Sequence, residues 1–160
     1  MTSIGDFQRA KAEGRRITMV TAYDAWSARL VAASHVDAIL VGDSVAMVAH
    51  GHANTLTATV DLMALHTRAV ARGAGGRFQV TDLPFLSYRK GLRTAMQAVE
   101  VLMASGAHAL KLEGVDGHER VIRHIVQSGV PVMGHIGLTP QSVHRLGGFR
   151  VQGRTQPQAD

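Results

Sequence analysis

The stretch Ala38-Ile39-Leu40-Val41-Gly42-Asp43-Ser44 decides the fold. Four apolar residues read as a strand, and the strand ends at Gly42-Asp43-Ser44. The same form recurs on both sides. Upstream, Ile17-Thr18-Met19-Val20 reads as a strand. Asp24 then caps a helix with Trp26, Leu30, Val31 and Ala33 at helical spacing. Downstream, a helix from Thr57 to Arg72 leads to strand Phe78-Gln79-Val80-Thr81, which ends at Asp82-Leu83-Pro84. A helix from Gly91 to Ser105 leads to strand Ala109-Leu110-Lys111-Leu112, ending at Glu113-Gly114. A helix from Gly117 to Gln127 leads to strand Val130-Pro131-Val132-Met133, ending at Gly134-His135. A short helix starts at Thr139-Pro140, where proline suits the first turn. Repeated strand–helix units predict an α/β fold with a parallel sheet and helical crossovers. An open doubly wound sheet and a barrel both fit this pattern.

Composition agrees with one folded domain. The chain has 160 residues, 46% hydrophobic and 18% charged, which excludes a disordered polymer. No linker or repeat divides it, so one domain over 1–155 with a polar tail at 156–160 is expected. No apolar run approaches the ~18 residues of a membrane span. The N-terminal Met1-Thr2-Ser3-Ile4-Gly5-Asp6 lacks the pattern of a signal peptide, and a cytoplasmic location is expected. Cysteine is absent, which removes disulfides and thiolate chemistry. The net charge is +5, but the arginines are scattered and aromatics are 4%. That argues against nucleic acid and for an anionic small substrate.

Asp43, Asp82, Glu113 and His135 fall at or just past four strand ends. In parallel α/β folds that edge builds active sites. Three carboxylates without thiolates suit a hard cation such as Mg2+, here held by Asp43, Asp82 and Glu113. Such a cation chelates a 2-oxo acid and stabilises an enolate. For each acid singly, capping of the following helix is the competing reading. Lys111 lies two residues before Glu113, so strand alternation puts both on one face. It pairs with a carboxylate of the protein or of a substrate. Ser44 either holds a substrate oxygen or caps a turn. His135 is read as a donor to substrate or as an acid/base. His50-Gly51-His52 spaces two imidazoles for a transition metal without placing a third ligand, so loop histidines are expected. His35, His66, His108, His118, His124 and His144 are read as surface or packing residues. Gly73-Ala74-Gly75-Gly76 reads as a helix-to-strand turn, and no dinucleotide-binding glycine pattern follows a strand.

From about Ile17 to Thr155 the chain resembles the ketopantoate hydroxymethyltransferase (3-methyl-2-oxobutanoate hydroxymethyltransferase) family. The resemblance is carried by Thr21-Ala22-Tyr23-Asp24, Val41-Gly42-Asp43-Ser44, Gly51-His52 with Thr55-Leu56, and His66-Thr67. It continues through Thr81-Asp82-Leu83-Pro84-Phe85, Lys111-Leu112-Glu113-Gly114, Gly134 to Val143, and Gly147 to Arg154. The resemblance implies a (β/α)8 barrel of the phosphoenolpyruvate/pyruvate type, with Mg2+ near Asp43, Asp82 and Glu113. It implies binding of 3-methyl-2-oxobutanoate through Asp43, Ser44, Asp82 and Lys111, with His135 lining the pocket. The implied reaction removes the C3 proton and transfers a one-carbon unit from 5,10-methylenetetrahydrofolate. The product is 2-dehydropantoate (ketopantoate), on the way to pantothenate and coenzyme A. Family members are cytoplasmic and commonly decameric, so a homo-oligomer is expected.

The resemblance also implies a difference. Eight-stranded barrels take ~250 residues, and family chains run on roughly another hundred past the segment matching Gly147–Arg154. The family's general base is a glutamate on a sixth strand, and no residue here matches it. The sequence therefore predicts about the first five β/α units, shortened at the C-terminus, with an open sheet inclined to associate. The competing functional expectation is an inactive remnant that binds Mg2+ and a 2-oxo acid without turnover.

Overall fold

A computed structural model describes residues 1 and 3–156. Five strands form one parallel sheet: β1 (Met19–Thr21), β2 (Ala38–Val41), β3 (Phe78–Asp82), β4 (Ala109–Glu113) and β5 (Val132–His135). Their spatial order is the chain order, β1-β2-β3-β4-β5. A doubly wound sheet reverses its order at a switch point. Here each crossover adds the next strand on the same side, which is how a β/α barrel is wound. The crossovers carry α2 (Ala25–Ala32), α3 (Val45–Val48) with α4 (Val60–Ala71), α5 (Leu92–Ala104) and α6 (Glu119–Gln127). No helix among the described residues is long and apolar enough to cross a membrane.

Local chemistry sets the helix starts. Asp24 Oδ1 accepts the Trp26 and Ser27 N–H groups, both at 2.8 Å, and opens α2 as the sequence predicts. The helix expected from Thr57 begins later. Asn54 starts a 3₁₀ turn over Thr55–Thr57, and Thr59 Oγ1 accepts Leu62 N–H at 3.1 Å to start α4. Two helices escape the sequence reading. One is α3; the other is α1 (Ile4–Ala12), whose entry is fixed by Asp6 Oδ2 accepting the Ser3 N–H at 3.0 Å. The fifth strand is displaced from 130–133 to Val132–His135. Pro131 has no N–H to give the ladder, while its carbonyl accepts Leu110 N–H at 3.0 Å. His135 is the last strand residue, as the sequence reading places it.

Strand alternation divides the side chains into two sets. Ile39, Val41, Leu110 and Leu112 join the large core against the helices, with Met63, Val70, Val99, Leu102 and Ile125. The opposite face carries the smaller cluster Ala38, Phe78, Val80 and Ala109, with Leu40 and Met133. Phe7 of α1 covers that cluster from the strands' N-terminal end, edge-on to Phe78 at 4.9 Å between ring centres. Continuing the same alternation toward the C-terminal ends places Asp82, Lys111, Glu113 and His135 above the smaller cluster. β1 and β5 form the two sheet edges, and Met19 and Val20 are exposed. The tail beyond Gln156, residues 157–160, lies outside the described residues.

Candidate active site

Register brings the charged residues together. Asp82 of β3 is the cross-strand partner of Lys111, and Glu113 of β4 is the partner of His135. Lys111 Nζ lies 2.9 Å from Asp82 Oδ1, and His135 Nδ1 lies 3.3 Å from Glu113 Oε1. Asp43, just past β2, donates its N–H to Asp82 Oδ2 at 3.1 Å. The acids thus do not cap the helices after them. Ser44 makes no capping bond either; its Oγ shares a 2.8 Å hydrogen bond with Tyr23 Oη. Tyr23 follows β1, so all five strands contribute to this edge.

Gln141 ties the cluster together, and its role was not legible in the sequence. It sits buried in a 3₁₀ turn, Pro140–Ser142. Its Nε2 donates to Asp43 Oδ2 at 2.8 Å and to the Leu83 carbonyl at 2.9 Å. Its backbone N–H donates to Glu113 Oε2 at 2.9 Å. Tyr88 Oη stands 3.1 Å from Gln141 Oε1 and accepts the Glu113 N–H at 3.2 Å. Two acceptors on one side and a hydroxyl on the other fix the amide's orientation. No spacing rule links residues so far apart in the chain. The only available signal was the polar residue after Thr139-Pro140.

Asp43, Asp82, Lys111 and Glu113 are all buried. Burial, then the neighbouring Asp82 charge, lifts the Asp43 carboxyl from 3.8 to about 7. Asp82 and Glu113 are raised by burial too, with Lys111 opposing. Burial alone would depress the Lys111 ammonium, but Asp82, Asp43 and Glu113 outweigh it and raise it. His135 is lowered by burial and by Lys111, so its imidazole is neutral at neutral pH. Its Nδ1 faces Glu113 Oε1, and Nε2 is the ring's other nitrogen.

One ammonium stands against three carboxylates, a deficit that one divalent cation balances, and oxygen donors suit Mg2+. The three acids are not already gathered into a metal cage: among the described residues no three His, Cys, Asp or Glu side chains form one. Gln141 holds one oxygen of Asp43 and one of Glu113 instead. A cavity of about 410 Å³ opens beside Glu113, walled by Phe85, Tyr88, Arg89, Gln141 and Arg145. The two loop histidines do not pair with each other. His50 meets His66, and His118, expected at the surface or in packing, is buried against Tyr88 with ring centres 5.1 Å apart.

Sequentially wound β/α units with acids, a lysine and a histidine on one strand-end edge define a partial β/α barrel. Solved structures agree on the fold. A 2,3-dimethylmalate lyase, itself a PEP mutase/isocitrate lyase superfamily member, superposes with a TM-score of 0.61 at 17% identity, over 84% of this chain and 52% of that one. A phosphonopyruvate hydrolase solved with oxalate and Mg++ gives 0.59 at 18% identity, over 71% and 39%. Within that class, residues 1–160 match the ketopantoate hydroxymethyltransferase family, and the chain belongs to it. A relative from Coxiella burnetii (strain Dugway 5J108-111), named 3-methyl-2-oxobutanoate hydroxymethyltransferase, is 59% identical over 150 residues. That match covers 93% of this chain and 56% of the relative. Relatives of the same name from Bdellovibrio bacteriovorus and Legionella pneumophila (strain Paris) are 58% and 51% identical, each over 98% of this chain. The chain spans 56–60% of the length of these relatives.

Proposed function

We propose that this edge binds 3-methyl-2-oxobutanoate and serves transfer of a hydroxymethyl group to it from 5,10-methylenetetrahydrofolate, giving 2-dehydropantoate. The observation that carries this reading is the buried Lys111–Asp82 pair, with Asp43, Ser44, Glu113 and His135 on the same edge. Asp43 and Asp82, with Glu113, would hold Mg2+. When bound, the cation supplies Lewis acidity that draws charge from the carboxylate and keto oxygens of a 2-oxo acid.

The residues of the chain do the rest. Lys111 offers an ammonium that stays charged and pairs with the substrate carboxylate. Ser44, held by Tyr23, presents its hydroxyl to a substrate oxygen. His135, neutral and with Nε2 open, takes the proton from C3. Water hydrolyses 5,10-methylenetetrahydrofolate, breaking both bonds from nitrogen to the one-carbon unit and releasing formaldehyde and tetrahydrofolate. The C3 carbanion, delocalised as the enolate, adds to the formaldehyde carbon, and the formaldehyde oxygen takes the proton back from His135 to become the hydroxyl. The cavity beside Glu113 has the size of a small-ligand site, and Arg89 and Arg145 suit the acidic end of that co-substrate.

The test is deuterium exchange at C3, followed by proton NMR in D2O with Mg2+ and the oxo acid. The expected outcome is exchange that an Asp43→Asn, Asp82→Asn double variant loses and that His135→Gln slows by ~10²–10⁴-fold. Binding without exchange above the double variant would replace this reading with a site that holds the cation and the oxo acid without turnover.

A further inference from the structure

Away from the acidic edge, His50 and His66 face each other. His50 follows α3, and His66 lies in α4. Their Nε2 atoms are 3.0 Å apart, with the rings nearly perpendicular at 79°. His66 Nδ1 lies 2.6 Å from the Tyr23 carbonyl, an acceptor only, so Nδ1 carries the proton. The His66 Nε2 lone pair therefore points at His50. A backbone carbonyl on the far nitrogen is the support that metal-ligating histidines use to fix tautomer and ring direction.

We infer that His50 and His66 form a binding site for a divalent transition cation, with water completing the coordination. Metal–imidazole bonds of ~2.0–2.1 Å spanning the 3.0 Å gap make an N–metal–N angle of about 94°. That angle is nearer the cis angle of tetragonal Cu2+ or Ni2+ than the tetrahedral angle of Zn2+. His50 moves its proton from Nε2 to Nδ1, and both Nε2 lone pairs go to the cation. The pair is solvent-accessible, since His50 is exposed and His66 half-buried. Two imidazole nitrogens also distinguish this site from the acidic edge, whose three carboxylates suit Mg2+. A bound cation joins α3 to α4 next to Tyr23, whose hydroxyl holds Ser44.

The test is titration of the 160-residue chain with Ni2+ or Cu2+ in excess Mg2+, by calorimetry and, for Cu2+, by electron paramagnetic resonance. The expected result is one strong site with hyperfine structure from two nitrogens, weakened at least ~10-fold in His50→Ala and unchanged in His52→Ala. His50 is exposed, so its loss leaves the fold intact. Equal binding by His50→Ala, or loss in His52→Ala alone, would overturn the assignment. Failure of exchange at C3 would leave it untouched, since neither histidine belongs to the acidic edge.

Discussion

Asp43 is the residue on which charge and burial meet most sharply. Its carboxyl rises from 3.8 to about 7 because burial and Asp82 both disfavour its anion. A carboxyl raised on folding binds its proton more tightly in the folded chain than in the unfolded one. Its contribution to stability is full below 3.8 and is lost as the pH climbs through about 7. Urea denaturation without divalent cation should therefore show the wild-type chain losing stability relative to Asp43→Asn between about pH 4 and about pH 7. A flat difference would mean that Asp43 titrates in its ordinary range. The candidate acids and Lys111 were legible because strand ends and alternation are local patterns. Tyr23 and Gln141 lie in segments that carry the family resemblance, but their roles were not read, because a tyrosine after a strand and a glutamine after a proline show no partner until the fold brings them to Ser44 and Asp43.

At the scale of elements, strand and helix order could be read directly, while the boundaries moved wherever a single polar atom decided them. Thr59 rather than Thr57 opens α4, and Pro131 pushes β5 onward to His135. The helix α1 was missed because it is polar on average, and its role depends on Phe78 far along the chain. The turn at Gly73-Ala74-Gly75-Gly76 matches the sequence reading, but Gly73 acts by closeness. A Cβ there would stand 2.2 Å from the Ala25 carbonyl oxygen, where the exit of α4 presses on the start of α2. Neither partner is a flexible side chain, so Gly73→Ala must part the two helices. The expected cost is about 1–3 kcal/mol in chemical denaturation. A neutral substitution would show that α2 can shift freely.

For the whole molecule, composition and periodicity left a barrel and an open sheet equally possible. The sequential strand order resolves that choice in favour of barrel winding, because strand neighbours are a long-range property that no local window contains. The Gln141 amide carries a further consequence, in time rather than in space. Its bond to Asp43 spans 98 residues, and its bond to Tyr88 spans 53. Each β/α unit can be built on its predecessor, but this link requires the whole stretch in between to be in place. Closing so long a loop comes late on the folding path, after the strands it bridges. Gln141→Leu should therefore unfold faster, with a loss of about 1–3 kcal/mol, while its refolding rate stays near wild type. Stopped-flow chevrons decide it, and slower refolding would put Gln141 in the nucleus. On this ordering the acids of this edge lie close together before their hydrogen-bond donor arrives, and the site acquires its final hydrogen bonding as the last act of folding.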